Sequence, residues 1–308
     1  MEGFVAKVQL PEASQMGASH LLKLYRAPFI GLFAFVAALL ANPVAHALGV
    51  SLKELMQPGM GGLVHIGLGF VGLAMLIYGT RREGEVQGTL LGFGAGLLIW
   101  LGWASYMFAY NPMDLNMGMV EVAPGQNRPA MLLYIQGSFG ICAATLLFFV
   151  FNKDTKCDAF RWIQRKCRLS LGKAASGQGR NFCRITFLET IYVTWFCYGL
   201  SLFLGDNRFL GYHHWATYVI VALLAVWAIY LIWKLSKFTR VMAALRFAIP
   251  TKAIFWIPFG EFAPKYGFYE EIWINPQKYS LEMWGLFILF MALICSTAFF
   301  PQRKQKLK

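Results

Sequence analysis

The chain has 308 residues, of which 57% are hydrophobic and 14% charged, where a soluble domain carries roughly 25% charged residues. With a mean hydropathy of +0.51, this excludes a soluble protein. The formal charge of +13 does not mark a nucleic-acid binder either. The basic residues fall in the connections between apolar runs, where they act as topology signals and contacts for anionic lipids.

The composition predicts an all-α integral membrane protein, a polytopic helical bundle of about seven or eight transmembrane helices. Residues 1–26 form a mixed N-terminal segment. No small-residue cleavage pattern follows the first apolar run, so that run reads as a retained signal-anchor. Residues 27–300 read as a single transmembrane domain. Within it, apolar runs of roughly 20 residues, enough to cross a bilayer, lie at 28–48, 61–79, 89–110, 131–151, 185–204, 214–234 and 281–300. A further run at 241–260 is interrupted by Arg246, Pro250, Lys252 and Pro258. It reads as a broken span, a re-entrant segment or an interfacial helix.

Loop charge orders these runs. The connection 153–184 carries Lys153, Lys156, Arg161, Arg165, Lys166, Arg168, Lys173, Arg180 and Arg184 against Asp154 and Asp158, which predicts a cytoplasmic loop. The N-terminus then lies on the same side, and 205–212 and 261–280 lie outside. The basic tail 301–308 returns to the inside only if 241–260 also crosses, which favours eight crossings. Cys142, Cys157, Cys167, Cys183, Cys197 and Cys295 stand singly without a C-x-x-C pair, which indicates neither a zinc site nor a disulfide framework.

Polar residues inside apolar runs are the functional candidates, because hydrocarbon penalises them unless they are paired or wetted. His65 lies in a span among glycines and is either a haem axial ligand or a histidine bonded to a neighbouring helix, with Gly67 and Gly69 permitting close approach. His213 and His214 open a later span as ligands or as an interfacial cap. Glu189 and Gln136 lie inside spans, and pairing of Glu189 with Arg184 is the structural alternative. Gly92, Gly94, Gly96, Trp100 and Trp103 mark the third span as a close-packing helix. Met113, Met117 and Met119 offer soft thioethers for Cu(I) or simply a lipid-proximal loop. No nucleophile–base pair, phosphate loop or carboxylate dyad stands out, so no catalytic residue is assigned.

The line EFAPKYGFYEEIWINPQKY at 261–279 sets Glu261, Phe268, Glu270, Glu271, Pro276 and Tyr279 on a pattern that runs from N-E-W-G-H through F-x-E-E-L-F to P-L-H-Y. LYIQ at 133–136, RNF at 180–182 and DNRFLGYH at 206–213, the last on D-x-D-F-x-x-x-H, follow in the same order. On these residues the stretch from about 131 onward resembles the C subunit of the copper-dependent membrane monooxygenases, the methane and ammonia monooxygenase family. The resemblance implies a membrane subunit of a multisubunit oxidoreductase with other membrane subunits as partners, in a bacterial cytoplasmic or intracytoplasmic membrane. It also implies copper as a possible cofactor, Asp206, His213 and His214 as metal candidates, and Glu270 and Glu271 as functional candidates.

The departures fall on the ligands. Arg208 stands at the second aspartate, Gly260 and Pro264 at the Asn and His of N-E-W-G-H, and Lys278 at the later histidine. The ligand set is incomplete, a lone imidazole is a poor copper site, and an arginine there repels a cation or else occupies that space as a structural salt-bridge partner. The implied role is structural or lipid- and quinol-contacting, with a degenerate metal site. Two other readings stay open. A stand-alone transporter or assembly factor would use 241–260 as a discontinuous helix, and a haem-binding electron-transfer protein would use His65 with His213 or His214.

Overall fold

The computed structural model describes residues 26–54, 60–151, 158–169 and 181–297. Most of the N-terminal segment, much of the basic loop 153–184 and the tail 301–308 lie outside the described residues. Among the described residues, eight helices are long and apolar enough to cross a membrane. The first two spans are α1 (Phe29–Glu54) and α2 (Met60–Thr80). The third is α3 (Glu85–Ile99), a π-helical turn (Trp100–Ser105) and α4 (Tyr106–Asp114) in continuous succession. A short hairpin follows, β1 (Met119–Ala123) against β2 (Gln126–Pro129), turning through Pro124 and Gly125, the glycine at φ +73°. Proline followed by a glycine with positive φ is the chemistry of a type II turn.

The fourth span is α5 (Ala130–Gly137) and α6 (Phe139–Phe151), jointed at Ser138. An amphipathic helix α7 (Asp158–Lys166) precedes the fifth span α8 (Phe182–Leu204) and the sixth, α9 (Trp215–Leu235). The seventh comprises α10 (Val241–Trp256), a π-helical turn (Ile257–Phe262) and α11 (Ala263–Lys265), and the eighth is α12 (Ser280–Thr297). The architecture is therefore the all-α bundle the composition predicts, with the hairpin its small exception.

The run 241–260 is a helix, and it extends to Lys265 rather than ending at 260. Proline inside a helix removes a backbone donor and normally breaks the α ladder. Here Pro258 falls near the start of a wider turn in which the Ala263 N–H donates to the Pro258 carbonyl, so the chain bulges and continues. Far from peripheral, this span is the most enclosed of the eight, with 61% of an apolar 18-residue stretch buried against 6% for α12. The first span passes beside it, and Ile30, Ala34, Phe35 and Ala38 of α1 pack on Leu235, Ala244, Leu245 and Ala248.

Lipid tails are as apolar as leucine, so these helices associate through close packing and internal polar bonds rather than through burial from water. The third and fifth spans illustrate this. A Cβ on Gly88, Gly92 or Gly96, one turn apart on α3, would meet Phe182, Cys183 or Thr190 of α8, and at Gly92 it would lie 2.3 Å from the Cys183 carbonyl oxygen. At the end of that interface Asn181 caps α8, accepting from the Arg184 N–H at 2.9 Å, while its side-chain amide donates 2.6 Å to the Thr80 carbonyl at the end of α2.

Candidate functional site

The segment 205–214 joins α8 to α9 and is organised by one carboxylate. Asp206 is fully buried. Its Oδ1 accepts from the Arg208 backbone N–H at 2.9 Å and from Arg208 Nε at 3.2 Å. Its Oδ2 accepts from Arg208 Nη2 at 2.7 Å and from Gln136 Nε2 at 3.1 Å. The ring closes because Arg208 Nη2 also donates to Gln136 Oε1 at 2.9 Å. Burial alone would raise the Asp206 carboxyl. The side-chain and backbone bonds from Arg208, the Gln136 amide and the guanidinium charge outweigh it and hold the group at about 2. The Phe209 and Leu210 amides donate to the Asp206 carbonyl. Gly211, at φ +85°, turns its carbonyl to accept from Thr217 Oγ1 at 2.7 Å, fixing the turn to α9.

A second polar cluster adjoins this one. Arg128, from β2, donates through Nη2 to the Gly205 carbonyl, and its guanidinium lies 5.7 Å from the Tyr212 ring centroid. Burial, reinforced by the charge of Glu261 and opposed by Arg128, pushes the Tyr212 phenol up to about 12, so it stays neutral. Tyr266 Oη donates to the Tyr212 carbonyl at 2.9 Å. Lys265 pairs with Glu271 at 2.6 Å. The two clusters together cap one end of the fourth to seventh spans with paired charge.

The sequence candidates separate on this frame. Gln136 and Asp206 meet, although seventy residues apart in the chain. His213 Nδ1 lies 3.1 Å from Tyr218 Oη, whereas His214 Nδ1 accepts from the Ala216 N–H and caps α9, so the adjacent histidines serve different neighbours. Glu270 is exposed, accepting from Tyr279 Oη at 2.6 Å and from Lys278 at 3.2 Å. Glu189 lies half-buried in the first half of α8, away from this cap. His65 is buried, its ring stacked on Tyr106 at 5.1 Å and 25°. Trp103 Nε1 donates to the neighbouring Ile66 carbonyl at 3.2 Å, and Gly69, not Gly67, makes room for that indole. Met117 and Met119 are exposed around the start of β1.

Among the described residues no group of three or more His, Cys, Asp and Glu side chains gathers as a metal site. The Asp206 carboxylate is filled by a guanidinium and an amide, and a cation brought to it would meet Arg208 first. These residues do not fit copper. No family model, no curated protein and no solved structure matches the chain. The arrangement holds charges together inside the protein and assigns no reaction.

Two polar contacts within the bundle were missed by sequence reasoning. Arg246 of α10 donates to Thr89 Oγ1 at 2.7 Å and to Glu85 at 2.5 Å, both on α3, with its guanidinium 4.6 Å from the Phe182 ring centroid. Lys252 is buried and donates to Asn42 Oδ1 of α1, and among the described residues no carboxylate pairs with it. Asn42 inside the first apolar run was the available signal. Nothing in one sequence says which polar residue on another span it would meet.

Proposed function

We propose that the chain is a membrane-embedded subunit of a multisubunit oxidoreductase resembling the copper membrane monooxygenases, with a structural or lipid- and quinol-contacting role rather than a metal centre of its own. The carrying observation is the Asp206–Arg208 pair. At the position where the resemblance calls for a second acidic ligand, the chain supplies a cation that neutralises the first. Lys278, at a histidine position of the same pattern, is likewise paired with an acid, Glu270. In each case the cation at a ligand position is held by an acid of the chain, the first at a buried carboxylate and the second on the surface.

In this reading the N-terminus, the 153–184 loop and the tail 301–308 face the cytoplasm of a bacterial cytoplasmic or intracytoplasmic membrane, and Asp206 lies toward the outer face. Gentle extraction from the native membrane, with identification of accompanying chains, metal analysis and a visible spectrum, tests it. Companion membrane subunits are expected, with copper assigned to those chains. Recovery as a lone protein would overturn the subunit role, and a haem band would shift attention to His65.

One observation favours a second reading, a transporter. Lys252 lies inside the most enclosed span with an amide as its hydrogen-bond partner, and intramembrane ionisable groups often mark ion or substrate paths. Uptake by proteoliposomes that disappears in Lys252→Met would decide for it.

A further inference from the structure

A shallow, open surface depression of about 410 Å³ lies between the end of α9 and the start of α10, lined by Lys234, Lys237, Phe238, Thr239, Arg240 and Ala243. Its three cations are exposed, and none takes part in an ion pair among the described residues. Helix electrostatics account for part of this. Lys234 lies in the last turn of α9 and Lys237 just beyond it, where a cation is favoured. Arg240 is the opposite case. It sits at the N-cap of α10 with no side-chain capping bond, at the positive end of a helix, where the macrodipole disfavours a cation. No acidic side chain among the described residues pairs with it, yet it faces the same depression as the two lysines.

The walls fix the depth of this depression. Trp233 and Tyr230 are exposed on the last turns of α9, the position of an aromatic belt at the boundary of hydrocarbon and headgroups. The Lys237 ammonium lies 3.2 Å from the Trp233 ring centroid and the Lys234 ammonium 5.8 Å from that of Phe247. Phe238 and Phe247 pack with ring centroids 5.1 Å apart and provide an apolar floor beside the charges.

We infer that this depression is a binding site for a phosphate-bearing anion at the membrane surface, the headgroup phosphate of an anionic phospholipid. The phosphoryl oxygens accept from Lys234, Lys237 and Arg240, and the acyl chains descend along the exposed apolar face of α9. Free inorganic phosphate shares the anion chemistry but lacks the chains, which separates the two sources experimentally.

The test uses the full chain in a non-ionic detergent, titrated calorimetrically with a short-chain phosphatidylglycerol, the matched phosphatidylcholine and inorganic phosphate. Phosphatidylglycerol is expected to bind saturably, roughly ten-fold or more tightly than either comparator, and to lose at least about that factor in K234Q/K237Q/R240Q. The charge-retaining K234R/K237R is expected to keep the affinity, as is K265Q at the other end of the bundle. If the triple variant fails to fold, R240Q alone gives the reading, with a measurable loss expected. Unchanged binding in the neutralised variants, or equal binding of both lipids, overturns the site. Inorganic phosphate binding as tightly as phosphatidylglycerol overturns the lipid as its occupant.

Discussion

Arg208 folds back over two residues to enclose the carboxylate of Asp206 at 2.7 Å, while the same guanidinium holds Gln136 of the fourth span at 2.9 Å. A loop is thereby fastened to a helix that precedes it by some seventy residues. Removing one partner of a buried pair costs roughly 3–5 kcal/mol, because the other charge is stranded. Arg208 is 43% exposed, and solvent screening reduces this to about 2 kcal/mol. Arg208→Met should lower the thermal midpoint in detergent, and Asp206→Asn combined with Arg208→Met should restore part of the loss. Equal midpoints for wild type and Arg208→Met would show that the pair contributes nothing to stability.

The same carboxylate sets an acid limit. Its value in the folded chain is lowered to about 2 from an ordinary 3.8, so the unfolded chain takes up a proton first as pH falls. The stabilisation is fully present above pH 4 and is lost as pH approaches 2. Thermal midpoints measured between pH 5 and pH 2 should fall more steeply for wild type than for Asp206→Asn, and parallel slopes would contradict the assignment.

Gly92 faces the Cys183 carbonyl so closely that a methyl group cannot be admitted without separating α3 from α8. Gly92→Ala should therefore destabilise by about 1–3 kcal/mol, the range seen for overpacking. Gly285→Ala on the exposed face of α12, where nothing lies within 4 Å, should be neutral or slightly stabilising through helix propensity. Unfolding by a denaturing detergent, followed by circular dichroism, checks both.

Lys252 and Asn42 should respond asymmetrically. Lys252→Met removes a buried ammonium and fills similar volume, so stability should be unchanged or improved. Asn42→Leu leaves the ammonium without its acceptor and should destabilise by at least about 1 kcal/mol. A stable Lys252→Met protein that has lost transport or oxidoreductase activity would show that the lysine is retained for function. Equal destabilisation by both changes would argue for a purely structural pair.

The spans were legible because their signal is additive. Roughly twenty apolar residues in succession announce themselves whatever they pack against, and loop charge was enough to make 241–260 a crossing. Its central place was not legible, since Arg246 and Lys252 look costly until Glu85, Thr89 and Asn42 are seen opposite them. The glycines of α3 announced close packing, but the face in contact with α8 runs through Gly88, Gly92 and Gly96, whereas Gly94 faces Met75 of α2. Gln136 and Asp206 were both named without their connection, because Arg208 was read as repelling a metal or as a salt-bridge partner in its place, and nothing in the sequence joined it to Gln136. Arg128 escaped notice in a loop that carried no hairpin signal stronger than Pro124 and Gly125.

The enclosure of the seventh span bears on how the chain is made. Residues 241–265 carry three cations and three prolines, and even an apolar 18-residue stretch of them has a mean hydropathy of only 1.3, against 2.2 for the preceding span. Such a segment partitions poorly into lipid by itself, since each central Arg or Lys costs about 3 kcal/mol on insertion scales. Its polar partners Glu85 and Asn42 are synthesised more than a hundred residues earlier, so a polar berth between the first and third spans is ready before the segment leaves the ribosome. Insertion thus depends on order of synthesis. A glycosylation reporter should show the isolated segment failing to integrate efficiently and doing so when spans one to six precede it.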